Sequence, residues 1–377
     1  MILSARIVIL GLTLSVLPGS NPASLVQTAS VVVSDESQCG DCRLELSLRT
    51  RLGEQSGPAM LEDTTIYAVE DSVGRFYLHW FGPSFLVFGP DGQFLQRVGR
   101  PGQGPGEYGF IGAIRPLPSG DLIVFDVPTR RATRLTDAFA YVDSVSLPVS
   151  PNFHVALTSE QDVVIASPRP TREAAGLPLH VVDLATGSIR RSFGSTAERS
   201  NPTLSIARRV SNARVAGTFW AFAPRGGSFR IERWSNDGVL LHAITRESPN
   251  WYERLYLEAQ PTTRQDGGLG EPIIAAVRES TDGLLWVYIS TPDPRWRDYF
   301  TLSDDPTQRR FSGTDSQRRD TVVEVIDIQS GVLLHSERFD QPVYPMSGDL
   351  VGAAVEHENG DIVFEVFELT FVKPDNQ

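Results

Sequence analysis

Residues 120–125 read Gly-Asp-Leu-Ile-Val-Phe, a turn glycine followed by β-branched and aromatic side chains. Such a run after a glycine turn is typical of a buried β-strand. Similar stretches recur along the chain, with turn positions at Gly74, Gly120, Gln161, Gly217, Gly283 and Gly360. A second series of turns lies between alternating strands, at Gly92, Gly187, Gly238 and Gly331. The pattern predicts an all-β fold of six four-stranded units, a six-bladed β-propeller.

The ends of the chain predict how this ring closes. The sixth repeat begins with an expected innermost strand at residues 351–355 and runs out at Gln377 before a fourth strand. Residues 46–53 resemble residues 94–99, the fourth strand of the first repeat, and both are followed by a Gly-Pro pair. We therefore expect the N-terminal strand to pair with the last blade, which removes a free sheet edge.

Composition limits the class of protein. The 377 residues carry 34 basic and 46 acidic side chains, a formal net charge of −12, and 41% are hydrophobic. This balance indicates a globular chain and disfavours nucleic acid as a partner, because binding phosphates requires surplus cations. We expect one domain, closed by its own termini, and a monomer.

The N-terminus predicts export. Arg6 precedes an apolar run over residues 7–17 and a stretch of small and helix-breaking residues, the pattern of a secretory signal peptide. We assign residues 1–23 to the signal peptide, 24–42 to a linker and 43–377 to the propeller. No later window is apolar enough to span a membrane, so the mature chain is expected in the periplasm or outside the cell.

Cys39 and Cys42 are the only cysteines. The residue immediately after Cys42 is Arg43 and not histidine, which disfavours haem attachment, and no second cysteine pair exists for a structural zinc site. A strand-like stretch follows instead of the helix that a thioredoxin-like pair would open. A local disulfide formed in an oxidising compartment is the favoured interpretation.

Residues 88–108 carry the most specific motif: a strand ending in Gly99-Arg100, then Gly-Gln-Gly-Pro-Gly-Glu over residues 102–107 and the aromatic Tyr108. The motif resembles that of exported bacterial six-bladed β-propellers related to NHL-repeat proteins. Residues 281–287 and 293–297 also resemble that family, and the likeness extends over roughly residues 39–370. It implies the fold and export but no particular reaction, and the third repeat departs most from the pattern.

Two groups of residues are candidates for binding. Arg100, Gln103, Glu107 and Tyr108 lie in a crossover between blades, where propellers commonly bind ligands. The alternative is a stiff structural turn in which Glu107 caps backbone amides. Trp251 and Trp296 lie in the insertions at residues 248–270 and 292–320, where exposed aromatic rings could bind a sugar or a peptide. The alternative is that they anchor these loops on the blades.

No catalytic constellation is evident. The six histidines have no metal-ligand spacing, and no nucleophile has a convincing base. Glu70, Arg115, Arg278 and Glu356 are expected near a channel mouth, but their mixed charges disfavour a metal site. We therefore predict a module that binds a small molecule, a glycan or a protein, with no cofactor and no metal. The alternative is a metal-dependent propeller enzyme of the lactonase or lyase type.

Overall fold

The computed structural model describes residues 29–167, 177–194, 208–224, 229–246, 248, 251–252, 255, 272–302, 309–311, 314–357 and 359–374. The predicted signal peptide lies outside these residues. The described chain is almost entirely β-structure and forms the predicted six-bladed β-propeller.

The first three blades are four-stranded antiparallel sheets, each ordered from its innermost strand outward. Blade one consists of β3 (Tyr67–Glu70), β4 (Phe76–His79), β5 (Phe85–Phe88) and β6 (Phe94–Val98). Blade two consists of β9 (Ile111–Pro116), β10 (Leu122–Asp126), β11 (Arg131–Leu135) and β12 (Tyr141–Ser146). Blade three consists of β13 (Val155–Leu157), β14 (Asp162–Ala166), β15 (Leu179–Asp183) and β16 (Ile189–Phe193).

Two of the other three blades recruit a strand from the N-terminus. Blade four consists of β17 (Arg209–Asn212), β18 (Thr218–Phe222), β19 (Arg230–Ser235) and β20 (Leu240–Arg246), with β1 (Ala29–Val33) as a fifth, outermost strand. Blade five consists of β21 (Ile273–Glu279), β22 (Leu284–Pro292), β25 (Arg319–Asp327) and β26 (Leu333–Phe339). Blade six consists of β27 (Tyr344–Pro345), β28 (Leu350–Glu356), β29 (Ile362–Val372) and β2 (Arg43–Leu52).

Short strands and helices lie in the connections between the blade strands. Two short strand pairs lie outside the blades: β7 (Arg100–Pro101) with β8 (Glu107–Tyr108), and β23 (Phe300–Leu302) with β24 (Arg309–Phe311). The described helices are a 3-10 helix at Trp296–Tyr299 and the one-turn α1 at Asp315–Arg318. Within the described residues, no helix has the length and apolar character needed to cross a membrane.

The core is divided among the blade interfaces. Six clusters of buried apolar side chains each lie between two neighbouring blades, and one of them joins blade six to blade one. In that cluster Leu52 and Phe364 of blade six pack with Phe76 and Phe88 of blade one. The ring is therefore held together by sheet-on-sheet burial of apolar surface at every interface.

The predicted closure is confirmed. The N-terminal strand β2 pairs antiparallel with β29, from Arg43 opposite Val372 to Leu52 opposite Phe364. A bulge falls between Leu48 and Thr50. Three strands from the C-terminus and one from the N-terminus thus complete blade six.

The prediction for the inner strand of blade six is wrong by one strand. Residues 351–355 belong to β28, which is second from the axis, because β27 pairs with its inner side at Tyr344–Gly352 and Pro345–Val351. The turn equivalent to those of the other blades is therefore at Gly348, and Gly360 separates the second and third strands. Two residues that include a proline carry no alternating pattern by which to recognise a strand.

The described residues before and within β2 form a belt across the outer edges of three blades. This N-terminal belt, residues 29–52, begins with β1, which pairs parallel with β20 of blade four. The backbone amides of Gln38 and Cys39 then donate to the carbonyls of Leu333 and Leu334 on blade five, at 2.8 and 3.1 Å. The belt reaches blade six through β2. The predicted disulfide between Cys39 and Cys42 lies within it, with the two Cα atoms 5.4 Å apart.

Candidate functional site

A stack of three rings lies where the inner strands begin, at one end of the central channel. Tyr67 is the first residue of β3 and is paired in register with His79, the last residue of β4. Their ring centroids are 5.3 Å apart with an interplanar angle of 19°. Phe153 stacks with Tyr67 at 4.7 Å and 10°. Rings from blade one and from the approach to blade three therefore meet at the channel.

Two further phenylalanines extend this stack. Phe81 meets Tyr67 and Phe153 edge-on, with centroids at 6.5 and 5.0 Å. Phe110 lies 6.2 Å from both Phe81 and Phe153. We call Tyr67, Phe81, Phe110 and Phe153 the aromatic cluster. Phe81 is 52% exposed, so the cluster presents apolar surface to solvent at the channel mouth.

Buried polar groups fix the loops that carry these rings. Asp126, fully buried at the end of β10, accepts hydrogen bonds from the backbone amides of Gly109 and Phe110 at 3.2 and 3.3 Å. Asn152 accepts from the amide of His154 at 2.9 Å and donates to the carbonyl of Ala166 at 3.0 Å. These bonds hold the approaches to β9 and β13 in place, so the fold itself fixes the loops that carry Phe110 and Phe153.

The loop carrying Phe81 is fixed by the backbone itself. The amide of Gly82 donates to the carbonyl of Trp80 at 2.7 Å, and the carbonyl of Gly82 accepts from the amide of Ile111 at 2.9 Å. The tight turn presents Phe81 outward. The second bond ties the loop to the first residue of β9 in the next blade.

Arg115 places a positive charge near His79 and His154, the two histidines next to the aromatic cluster, since its charge lowers the pKa of both. Its guanidinium donates through Nε and Nη2 to the carbonyl of Val155, at 3.1 and 2.9 Å, and through Nη1 to the carbonyl of Ile114 at 2.8 Å. No carboxylate partner of Arg115 is found among the described residues. Burial lowers the pKa of Arg115 to about 10, so the group is still cationic at neutral pH.

Arg209 adds a second charge from blade four. It donates to the carbonyl of Ala275 at 2.7 Å. Burial raises the pKa of Tyr67 to about 12, and the positive charge of Arg209 opposes that rise. The guanidinium thus acts on the tyrosine from across the ring of blades.

Two histidines at the site are held neutral. Burial, assisted by the charge of Arg115 and opposed by a hydrogen bond to the Ile111 backbone, lowers the pKa of His79 to about 3. Burial and the charges of Arg209 and Arg115 likewise lower the pKa of His154 well below its usual value. The buried Nδ1 of His79 has no hydrogen-bond partner among the described residues. The site therefore offers uncharged ring nitrogens beside fixed positive charge.

The predicted crossover candidates form a self-contained turn. Glu107 pairs with Arg100 at 3.0 Å and accepts from the amides of Gly104 and Gln103 at 2.8 and 3.1 Å. These contacts, the Gly104 amide first, lower the pKa of Glu107. Arg131 also donates to the carbonyls of Gln103 and Glu107. The geometry matches the alternative of a stiff crossover, with the Tyr108 side chain fully buried, and a binding role for these residues stays a prediction.

The two tryptophans are also buried. The side chains of Trp251 and Trp296 are 4% and 2% exposed, which favours the alternative that they anchor their loops, and a binding role for these two residues stays a prediction. Trp251 packs edge-on against Phe229 at 5.1 Å. Trp296 lies in the 3-10 helix that follows β22, under the guanidinium of Arg297. Trp251 belongs to the apolar cluster between blades four and five.

The predicted charges at the inner strands are mostly paired. Glu70 accepts from Arg49 at 2.8 Å, and Arg278 pairs with Asp349 at 2.5 Å. Among the residues that the structure describes, no group of three or more His, Cys, Asp or Glu side chains is arranged to hold a metal ion.

Comparisons with known proteins show the fold. A Bacteroides fragilis protein thought to be exported aligns with a TM-score of 0.54 at 13% identity, covering 92% of this chain and 100% of its own. A Bacteroides vulgatus member of the DUF4221 family aligns with a TM-score of 0.55 at 12% identity, covering 87% of this chain and 99% of its own. No family model matches the sequence, and comparison with curated proteins finds no match.

The virginiamycin B lyase of Staphylococcus aureus aligns less well. Its TM-score is 0.45 at 13% identity, over 88% of this chain and 100% of that protein, which is too low to carry an argument. The first two likenesses support the six-bladed architecture and nothing about a ligand.

The aromatic cluster was missed by the sequence analysis. A signal was present, because Tyr67, Phe110 and Phe153 each lie at, or within two residues of, the start of an inner strand. Aligning the repeats on these starts would have placed three aromatic rings at one end of the channel. The positions of Phe81 and Arg115 relative to them depend on how neighbouring blades twist, which the repeat pattern does not give.

Proposed function

We propose that this protein binds a small organic anion that carries a flat apolar group, at the mouth of the central channel. The observation that carries the proposal is Arg115, a half-buried guanidinium without a carboxylate partner among the described residues. Buried arginine side chains are usually paired with acids, and one that is not is well suited to a carboxylate or phosphate of a ligand.

The aromatic cluster supports the apolar part of the ligand. Phe81 offers an exposed ring at the edge of a stack that is already formed. Stacked and edge-on aromatic contacts are each worth about 0.5–1.5 kcal/mol beyond burial of their area. A ligand that combines a planar ring with an anionic group would use both features at once.

We also propose that the protein acts outside the cytoplasm, as a member of the NHL-related exported propellers. The apolar run at residues 7–17, the disulfide in the N-terminal belt and the exported character of a structural neighbour support export. The crossover motif at residues 99–108 supports the relation to that family. The metal-dependent lactonase or lyase alternative stays a prediction, and no contact in the described channel favours it over binding.

The experiment compares three probes that share one ring system: 2-naphthoate, 2-naphthol and 2-naphthylmethylamine. Isothermal titration of the mature protein is expected to give saturable binding of the anion, with affinity at least tenfold higher than for the neutral probe. The cationic probe is expected not to bind, because it would meet Arg115 and Arg209. Arg115→Gln is expected to remove the preference for the anion and leave the naphthol affinity unchanged.

The matched control is Arg100→Gln, which removes the same charge from an exposed crossover residue. This variant should bind each of the three probes with an affinity within a factor of two of that of the original protein. Equal affinities of the three probes, or an anion preference that survives Arg115→Gln, would show that the channel mouth is not an anion site.

A further inference from the structure

A cavity lies on blade five, away from the aromatic cluster. It has a volume of about 320 Å³ and is formed where β22 ends, β25 begins and β26 ends. Its lining includes the carboxylates of Asp293, Asp320 and Asp340 and the guanidinium groups of Arg295 and Arg338. The size is at the lower end for small-molecule sites, which begin at roughly 300 Å³.

Arg338 lines this cavity and is held in place by hydrogen bonds to neighbouring segments. Its Nε donates to Asp320 Oδ2 at 2.8 Å. Its Nη2 and Nη1 donate to the carbonyls of Pro292 and Leu255 at 2.7 and 3.2 Å. With each nitrogen engaged, Arg338 orients Asp320 and ties three segments together. Its hydrogen bond to Asp320 reaches Oδ2 and not Oδ1.

Asp320 is left with an unsatisfied oxygen. The side chain is 1% exposed, and its buried Oδ1 has no hydrogen-bond partner among the described residues. Burial raises the pKa of Asp320 to about 6, and the nearby charges of Asp293 and Asp340 contribute to the rise, whereas Arg338 opposes it. An ionised carboxylate with one unpaired oxygen is costly to bury, so a donor supplied from the cavity would be favoured.

We infer that this cavity binds the cationic nitrogen group of a ligand, a primary ammonium or a guanidinium, with Asp320 Oδ1 as its acceptor. The argument rests on the charge count of the lining, three acids against two bases, and on the unpaired oxygen. A divalent metal ion fits less well, because two guanidinium groups line the same cavity. An N–H donor satisfies the oxygen with a single positive charge.

The test uses butane-1,4-diamine and agmatine as probes, titrated into the mature protein by calorimetry. One saturable site is expected for at least one probe. Asp320→Asn is expected to lower the affinity for that probe about tenfold or more. Tetramethylammonium, a cation without an N–H donor, is expected not to bind. Glu45→Gln, which removes one charge from an exposed residue of β2, is the control for the net charge of the chain and should leave the affinity unchanged.

A second variant guards against misfolding of Asp320→Asn. Asp340→Asn changes an exposed carboxylate of the same lining and is expected to weaken the probe severalfold while the circular dichroism spectrum is retained. Absence of saturable binding by both probes overturns the inference. So does binding that is indifferent to both aspartate variants, or equal binding of tetramethylammonium, because either would reflect general attraction to an acidic surface.

Discussion

His79 illustrates how one buried side chain couples the site to stability. Its imidazole is stacked on Tyr67 and buried, and its pKa is lowered to about 3 in the folded protein. In the unfolded chain a histidine titrates near pH 6.5. Between these two values the unfolded state binds a proton that the folded state does not. The stabilising contribution of the neutral ring is therefore complete above about pH 6.5 and is lost as the pH falls.

We predict that His79→Phe reduces this pH dependence. The variant keeps an aromatic ring against Tyr67 and removes the titrating group. Between pH 6 and pH 4 the free energy of unfolding of the original protein should fall more steeply than that of the variant, by about 1.4 kcal/mol per pH unit. Urea denaturation followed by tryptophan fluorescence across this range measures both slopes. Parallel slopes would contradict the assignment of a lowered pKa to His79.

At the scale of strands and turns, local sequence determines much of the structure. Turns such as Gly120 and Gly283 adopt positive φ, at +93° and +81°, and glycine is the residue that tolerates it. Buried strands such as β10 follow directly from runs of β-branched and aromatic residues. The inner strand β27 was not predicted, because two residues, one of them proline, give no recognisable pattern.

The site depends on contacts that local sequence does not contain. Phe81, Phe110 and Phe153 lie in loops of different blades and meet only because the ring converges. Conversely, Trp251 and Trp296 lie in loop-like insertions by sequence, but large aromatic side chains gain more free energy from burial than from exposure to solvent. Exposure of a loop residue is a property of tertiary packing, so local sequence could not show that these two rings are covered.

The contact between β1 and blade five gives an element-scale prediction. A Cβ added at Gly331, where φ is +73°, would lie 1.8 Å from Cγ1 of Val31 in β1. Gly331→Ala should therefore displace β1 in addition to straining the turn. We expect a loss of about 2–3 kcal/mol, of which roughly 1 kcal/mol is the cost of positive φ for alanine. Chemical denaturation measures the total, and hydrogen exchange at residues 31–33 reports the displaced strand.

Gly283→Ala is the matched control for this turn. Gly283 has a similar φ of +81°, and a Cβ there would meet no atom within 4 Å. It should cost about 1 kcal/mol and leave hydrogen exchange in β1 unchanged. Equal losses from the two substitutions, with no change in β1, would mean that the belt does not pack on blade five at Gly331.

At the scale of the whole molecule, the N-terminal belt links three blades and closes the ring. The belt contacts blades four, five and six in sequence, and its last strand completes blade six against blade one. The same architecture brings the inner strands together, so that rings from separate blades meet in the aromatic cluster. Closure of the ring is thus a condition for the proposed site, because the site draws its side chains from separate blades.

The last prediction tests that closure with two leucines of the same strand. Leu52 of β2 is fully buried between blades six and one, whereas Leu48 is 45% exposed. Leu52→Ala should destabilise the protein by about 2–5 kcal/mol, because it removes buried apolar volume at the closing interface. Leu48→Ala should cost no more than about 0.5 kcal/mol. If Leu52→Ala does not fold, Leu52→Val should still lose about 1 kcal/mol.

The measurement is chemical denaturation of the Leu52 variants, followed by near-ultraviolet circular dichroism and by fluorescence. The unfolding midpoints seen by the two probes should shift by the same amount, since every blade depends on the closed ring. Similar losses at the two positions would place the stabilising contacts of the ring elsewhere than in the pairing of β2 with β29.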